Sequence, residues 1–130
     1  MRTLQYTSEQ IYARPELVEV LKKLTMGLNG ELCDLIKKQH KGTYFLVWKN
    51  SKVIAQCFVQ QRTVDASLQV NIYVDSKYRR MGIGKRLAFK AKLFGKQKRR
   101  KMYYGASIYY KFEELYSNLG FIDNYEYSWN

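Results

Sequence analysis

The sequence predicts a single α/β domain built on one mixed sheet, and three observations carry that expectation. A chain of 130 residues with a hydrophobic fraction of 46% is long enough for one core and too short for two. Segments with the two-residue period of strands and segments with the helical period both occur, without strict strand–helix–strand alternation. The chain holds one proline and shows no repeat, low-complexity tract or linker, so all 130 residues read as one unit.

Pro15 opens the pattern 15-PELVEVLKKL-24, with Leu17, Val20, Leu21 and Leu24 at helical spacing. Proline at the first helical position and Glu16 beside the positive end of the helix dipole are start signals. After 26-MGLNG-30, a second helix fits 31-ELCDLIKKQ-39, with Leu32, Leu35 and Ile36 on one face. Two strands follow, 43-TYFLVWK-49 and 52-KVIAQCFVQ-60, joined by a tight turn at Asn50 and Ser51. A third strand covers Leu68 to Val74, with Leu68, Val70, Ile72 and Val74 on one side and Gln69, Asn71 and Tyr73 on the other. A helix from about Gly82 to Lys96 places Ile83, Leu87, Ala91 and Phe94 on one face. A short strand, 102-MYYGA-106, precedes a last helix over Tyr109 to Asn118, capped by Gly120, and 121-FIDNYEYSW-129 reads as a closing strand.

Composition narrows the function classes. No apolar run approaches the roughly 20 residues that span a bilayer, and MRTLQYTSEQ lacks the apolar region of a secretory signal. Cys33 and Cys57 form no CxxC pair and there is one histidine, which argues against zinc; lone thiols of this kind suit a reducing, cytoplasmic setting. Net charge is +12 and unevenly spread. Between Ser76 and Met102 there are twelve Lys or Arg residues and no acid, whereas Phe112 to Asn130 carries four acids and no base. A cationic segment of this kind suits phosphates, on a cofactor or a nucleic acid.

The centre of that segment is 78-YRRMGIGKRL-87, where a strand pattern hands over to a helix pattern. A helix N-terminus offers unpaired N–H groups and a partial positive charge, and glycines let an anion approach them closely. With Gly82 and Gly84 there, and Arg79, Arg80, Lys85 and Arg86 around them, the segment reads as a diphosphate cradle. It matches neither GxxxxGK[ST] nor GxGxxG, since position 87 is Leu.

The run Ile72-Tyr73-Val74-Asp75 followed by 78-YRRMGIG-84 resembles motif A, [QR]xxGx[GA], of the GNAT superfamily of acyl-CoA-dependent N-acyltransferases. Some thirty residues on, 115-LYSNLGF-121 resembles that family's LYxxxGF signature. The resemblance covers most of the chain and is sharpest from Leu68 to Phe121. It implies a mixed, mostly antiparallel sheet of about six strands, flanked by about four helices, with an abbreviated C-terminal hairpin. It also implies acetyl-CoA as co-substrate. Backbone groups of Ile72, Tyr73 and Val74 would hold the pantetheine arm. Amides across Arg79, Arg80, Met81, Gly82, Ile83, Gly84 and Lys85 would hold the pyrophosphate.

By the same resemblance Tyr116 is the general acid for the leaving thiolate, and Tyr104 stands at a fifth-strand position where relatives carry a base. Acids of the fourth-strand region stand only at its ends, Asp65 and Asp75, so Gln69, Asn71, Tyr73 and Tyr104 are the candidates to order a water chain. Tyr109 occupies the place of a pantetheine-binding asparagine. Two functions follow as expectations. The first is N-acetyl transfer to a primary amine, such as a protein N-terminus or a lysine. The second is a catalytically degenerate binding protein of the same fold. The run of Lys96, Lys98, Arg99, Arg100 and Lys101 exceeds what a cofactor needs and suggests a nucleic-acid or acidic-protein contact. Asp123, Glu126, Tyr125, Tyr127 and Trp129 would then border the acceptor side.

Overall fold

The computed structural model describes residues 1–25, 41–61, 66–104 and 116–123. The expected helix over residues 31–39, the 26–30 loop, Asp65, Tyr109, Tyr125, Glu126, Tyr127 and Trp129 lie outside the described residues.

The N-terminus contributes two elements that helical and strand periodicity leave unmarked. Strand β1 (Arg2–Thr7) pairs antiparallel with β2 (Gly42–Lys49) at the sheet edge. Thr7 then starts α1 (Ser8–Tyr12) through a reciprocal capping box. Its hydroxyl accepts from the Gln10 N–H at 3.2 Å, and its own N–H donates to the Gln10 carboxamide at 2.8 Å. A six-residue strand and a five-residue helix are shorter than the window over which periodicity speaks. Helix α2 (Pro15–Leu24) starts at its proline, as expected, and buries Leu17 and Leu21.

Among the described residues six strands lie in sequence order, β1-β2-β3-β4-β5-β6. Strand β3 (Lys52–Gln61) pairs antiparallel with β2 and with β4 (Leu68–Val74), the hairpin turning at Asn50 with φ 56°. Helix α3 (Ile83–Lys98) then carries the chain back, so that β5 (Met102–Tyr104) runs parallel to β4 and β6 (Ile122–Asp123) parallel to β5. The expected helix thus extends two residues further, to Lys98. Arg99 ends it in the left-handed region (φ 56°), with its N–H on the Lys96 carbonyl and the Arg100 N–H on that of Gly95. Of the expected last helix the described part is its final turn, Tyr116–Asn118. Gly120 (φ 86°) terminates it while the Phe121 N–H returns to the Tyr116 carbonyl at 2.9 Å. Among the described residues no helix is long and apolar enough to cross a membrane.

Strand alternation gives the sheet two buried faces. Phe45, Val47, Val59 and Val70 pack under α3 through Ile83, Leu87 and Ala91, together with Tyr116 and Phe121. Tyr44, Leu46 and Phe58 pack on the opposite face, under Ile11, Leu17 and Leu21 of α1 and α2. A β-bulge interrupts β3: Val47 pairs with Ala55 and Trp48 with Val53, leaving Ile54 as the extra residue. Ile54 and Ala55 therefore both join the α3-side core, and Gln56 falls on the α1–α2 side between them and Phe58.

Gly42 starts β2 where a Cβ would meet the Phe58 ring and come within 2.5 Å of the Val59 carbonyl oxygen. Gly42→Ala is expected to lower stability by about 1–3 kcal/mol, as overpacking against backbone does, and to reduce Tm in a thermal melt.

Candidate active site

Among the described residues β4 outruns β5. Pairing between them covers Leu68↔Met102, Gln69↔Tyr103 and Val70↔Tyr104, whereas β4 continues to Val74. Two hydrogen bonds fix which way each β4 main chain points. The Leu68 N–H reaches the Lys101 carbonyl at 2.9 Å on the β5 side, and the Asp75 N–H reaches the Ile54 carbonyl at 2.9 Å on the β3 side. By alternation Gln69, Asn71 and Tyr73 turn their main-chain groups to β3, while Val70, Ile72 and Val74 turn theirs the other way. Ile72 and Val74 therefore present main-chain groups at an edge that has no ladder partner among the described residues. Tyr73, expected to contribute its backbone to the same task, instead spends it opposite Gln56.

The chain leaves that edge through a tightly held turn. Asp75 caps the 3₁₀ turn Ser76–Tyr78 by accepting from the Lys77 N–H at 3.0 Å. Arg79 folds back so that its Nε donates to the Val74 carbonyl at 3.0 Å, with its guanidinium 5.4 Å from the centre of the Tyr73 ring. The residue read from the motif as part of a phosphate cradle is thus engaged in fixing the end of β4. Arg80 (φ 63°) is left-handed at a cost of roughly 1–2 kcal/mol, and Gly82 (φ 78°) is left-handed at the N-cap of α3. The passage from left-handed Gly82 into helical Ile83 turns successive N–H groups inward, as anion-binding nests do. A Cβ at Gly82 would meet nothing within 4 Å, so the space before those N–H groups is open. Gly84 and Ile83 are buried, which assigns Gly84 to close packing of the first helical turn; Met81, Lys85 and Arg86 are exposed around it.

The tyrosines expected to do chemistry meet on the α3 side of the sheet. Tyr104 and Tyr116 stack with centroids 4.8 Å apart and an interplanar angle of 20°, and Phe121 lies 5.5 Å from Tyr116. Burial pushes the Tyr116 phenol well above its ordinary value, and the neighbouring Cys57 thiol and Tyr104 push it the same way. Asn71, by contrast, lies on the α1–α2 face, with its Nδ2 buried and unpartnered. The sheet therefore separates Asn71 from Tyr104, with which it was expected to share one water chain, and from Tyr116. A groove of about 550 Å³ between α2 and the β2–β3 turn contains none of the expected site residues. In the cationic run, Lys98 sits 5.5 Å over the Phe94 ring and Arg100 donates to the Ala66 carbonyl at 3.1 Å, so two of its five cations have local partners.

One polar residue of the region went unremarked in the sequence. Gln56 is fully buried, and neither end of its carboxamide has a partner. Its signal was present: a lone carboxamide in the middle of the apolar run 53-VIAQCFV-59.

Among the described residues, then, an edge of β4 without a ladder partner runs into a glycine-opened helix start. The family model for the acetyltransferase (GNAT) domain matches residues 40–123, more than half of the chain. This chain belongs to the GNAT acetyltransferases. Solved structures of that family share its fold. A GNAT-family acetyltransferase from Staphylococcus aureus aligns with TM-score 0.67 and 17% identity over 92% of this chain and 82% of that one. An aminoglycoside antibiotic 6′-N-acetyltransferase from Acinetobacter haemolyticus aligns with TM-score 0.62 and 14% identity over 95% and 92%. An aminoglycoside 6′-N-acetyltransferase complexed with coenzyme A aligns with TM-score 0.63 and 12% identity over 80% of this GNAT chain, which spans 61% of that protein. No curated protein sequence matches.

Burial raises the Tyr44 phenol and the Cys57 thiol as it does Tyr116, so all three hold their protons more firmly folded than unfolded. Above the ordinary values of about 8.5 for cysteine and 10 for tyrosine, the unfolded chain binds fewer protons than the folded one. The stabilisation they provide is complete below those values and declines as pH rises past them. Thermal melts are expected to give a constant Tm from about pH 7 to 8 and a falling one from about pH 9 upward, less steeply in Tyr116→Phe.

Proposed function

We propose that this GNAT acetyltransferase transfers an acetyl group from acetyl-CoA to a primary amine by direct attack on the thioester. The observation that carries the reading is the continuous main-chain surface that runs from the β4 edge, without a ladder partner among the described residues, into the Gly82 turn. Ile72 and Val74 offer the edge at which an extended pantetheine arm would be received as a strand is, by hydrogen bonds to N–H and C=O. The Val74 carbonyl already accepts from Arg79, which leaves the two N–H groups and the Ile72 carbonyl for that purpose. The nest at Gly82–Gly84 would take the pyrophosphate, and exposed Arg80, Lys85 and Arg86 would draw it in.

Attack of a neutral amine on a thioester passes through a tetrahedral oxyanion, which a main-chain N–H of the β4 edge would stabilise. The thiolate that departs needs a proton. Tyr116 is the donor in this reading: burial keeps its phenol protonated, and the same desolvation would make an adjacent thiolate a stronger base. Tyr104, stacked on it, holds the ring in place.

Aminoglycosides are polyamines, and the net charge of +12 disfavours a polycationic acceptor. The aminoglycoside enzymes therefore lend support to amine acetylation and not to antibiotic acceptors.

Calorimetry with acetyl-CoA tests the reading directly. Gly82→Glu, which would set an anion in the open space before the nest, is expected to abolish binding. Tyr116→Phe is expected to retain it while transfer slows by about 10²-fold or more. Absence of binding by the parent chain would remove the proposal, and an unimpaired Tyr116→Phe would remove the acid.

A further inference from the structure

The outward side of α3 carries two large apolar side chains where a solvated helix face carries polar ones. A helix turns by about 100° per residue, which sets Phe89 and Leu93 one turn apart on a single line. That line lies nearly opposite the middle of the buried face formed by Gly84, Leu87, Ala88 and Ala91. Phe89 is 52% exposed and Leu93 51%. One exposed leucine is ordinary on a protein surface, but two large apolar residues that adjoin on the crest of a helix form a ridge.

Cations border the ridge on both flanks. Lys85, Lys92 and Lys96 lie along one side and Arg86 and Lys90 along the other, all of them exposed except the half-buried Lys92. The stretch from Ser76 to Met102 holds twelve Lys or Arg residues and no acid, so the helix supplies no counter-charge of its own. Three of the five exposed large apolar residues among the described ones, Met81, Phe89 and Leu93, fall in that same stretch. Apolar exposure and positive charge thus coincide. The pyrophosphate proposed at Gly82–Gly84 accounts for cations of the first helical turn, and leaves Lys90, Lys92, Lys96 and the ridge without a role.

The shape and charge of the ridge select its partner. A second copy of this chain would bring the same cations face to face. Nucleic acid presents its phosphates outermost, and these would meet Phe89 and Leu93 at the crest before reaching the lysines beside them. A folded acidic protein needs a groove cut to a convex helix. An anionic bilayer surface needs none, because its lipids part around an apolar crest while lysine and arginine stems extend to the charged head groups. Lying on such a surface is distinct from crossing it, and among the described residues no helix is long and apolar enough to cross.

We propose that the outward face of α3 docks this protein on a negatively charged lipid surface, with Phe89 and Leu93 among the lipids and Lys90, Lys92 and Lys96 on their head groups. Docking needs no coenzyme, so the proposal stands apart from the acetyl-transfer reading. Lys85 and Arg86 serve both sites and are left intact in its test.

The test is co-sedimentation of the full chain with vesicles at about 0.1 M salt, using phosphatidylcholine with and without about one-third phosphatidylserine. The chain is expected to bind the mixed vesicles at least about tenfold more tightly than phosphatidylcholine alone. Phe89→Gln with Leu93→Gln keeps the net charge, and is expected to weaken binding about tenfold or more with Tm and acetyl-CoA binding unchanged. Lys90→Gln, Lys92→Gln and Lys96→Gln together are expected to weaken it about 100-fold, from about fivefold per cation. Val20→Gln, which removes an exposed apolar residue of α2, is expected to bind as the parent does. Phe89→Trp is expected to emit at shorter wavelength on the mixed vesicles, measured against the parent, and reads insertion even if the double variant fails to fold. A parent chain that leaves the mixed vesicles unbound, or an unshifted Phe89→Trp, would overturn the proposal. Parental binding by the double variant would overturn it too, leaving attraction by net charge alone, as would an equal loss in Val20→Gln. Tighter binding of the parent to poly(U) RNA than to the mixed vesicles, untouched by the double variant, would replace the lipid surface with nucleic acid.

Discussion

The main-chain hydrogen bonds that β4 forms along one edge, and on the other edge only in part among the described residues, are the constraint on which the rest of this structure depends. Along its whole length β4 is bonded to β3, so its position is fixed. On the opposite edge, among the described residues, β5 accompanies it as far as Val70. Backbone N–H and C=O groups are costly to bury without partners, so an interrupted ladder either meets solvent or takes a partner from outside the chain. The chain leaves β4 directly into the Gly82 turn, so the second set of unpaired N–H groups, at the start of α3, follows on from the first.

Holding that turn takes more than glycine. Arg79 clamps the last carbonyl of β4, Asp75 caps the short 3₁₀ turn, and Arg80 tolerates a left-handed backbone. A non-glycine residue in that region persists where the surroundings over-determine it, and such positions gather at ligand sites. The cationic character of the segment therefore has two origins: arginines that build the turn and exposed side chains that set its field. Net charge alone does not separate them.

The sheet also divides labour between its faces. On the α3 side, apolar packing encloses Tyr104 and Tyr116 and raises the Tyr116 phenol well above its ordinary value. On the α1–α2 side a comparably apolar face encloses Gln56, whose carboxamide has no partner among the described residues. A buried phenol on one side and a buried carboxamide on the other thus sit in separate cores of the same sheet.

Local signals settled much of this in the sequence. Alternation in 68-LQVNIYV-74 gave β4 with its bounds, Pro15 gave the start of α2, and the spacing of Arg79, Gly82 and Gly84 marked the turn, because each depends on residues a few positions apart. Relations between distant residues were decided by the fold. That Arg79 grips Val74, that Tyr73 spends its backbone on β3, and that Asn71 and Tyr116 stand on opposite faces all follow from register and sheet order. So does the burial of Gln56, which in sequence is one carboxamide among apolar neighbours. A side chain's type is written in the chain, but whether it finds a partner depends on what long-range pairing brings beside it.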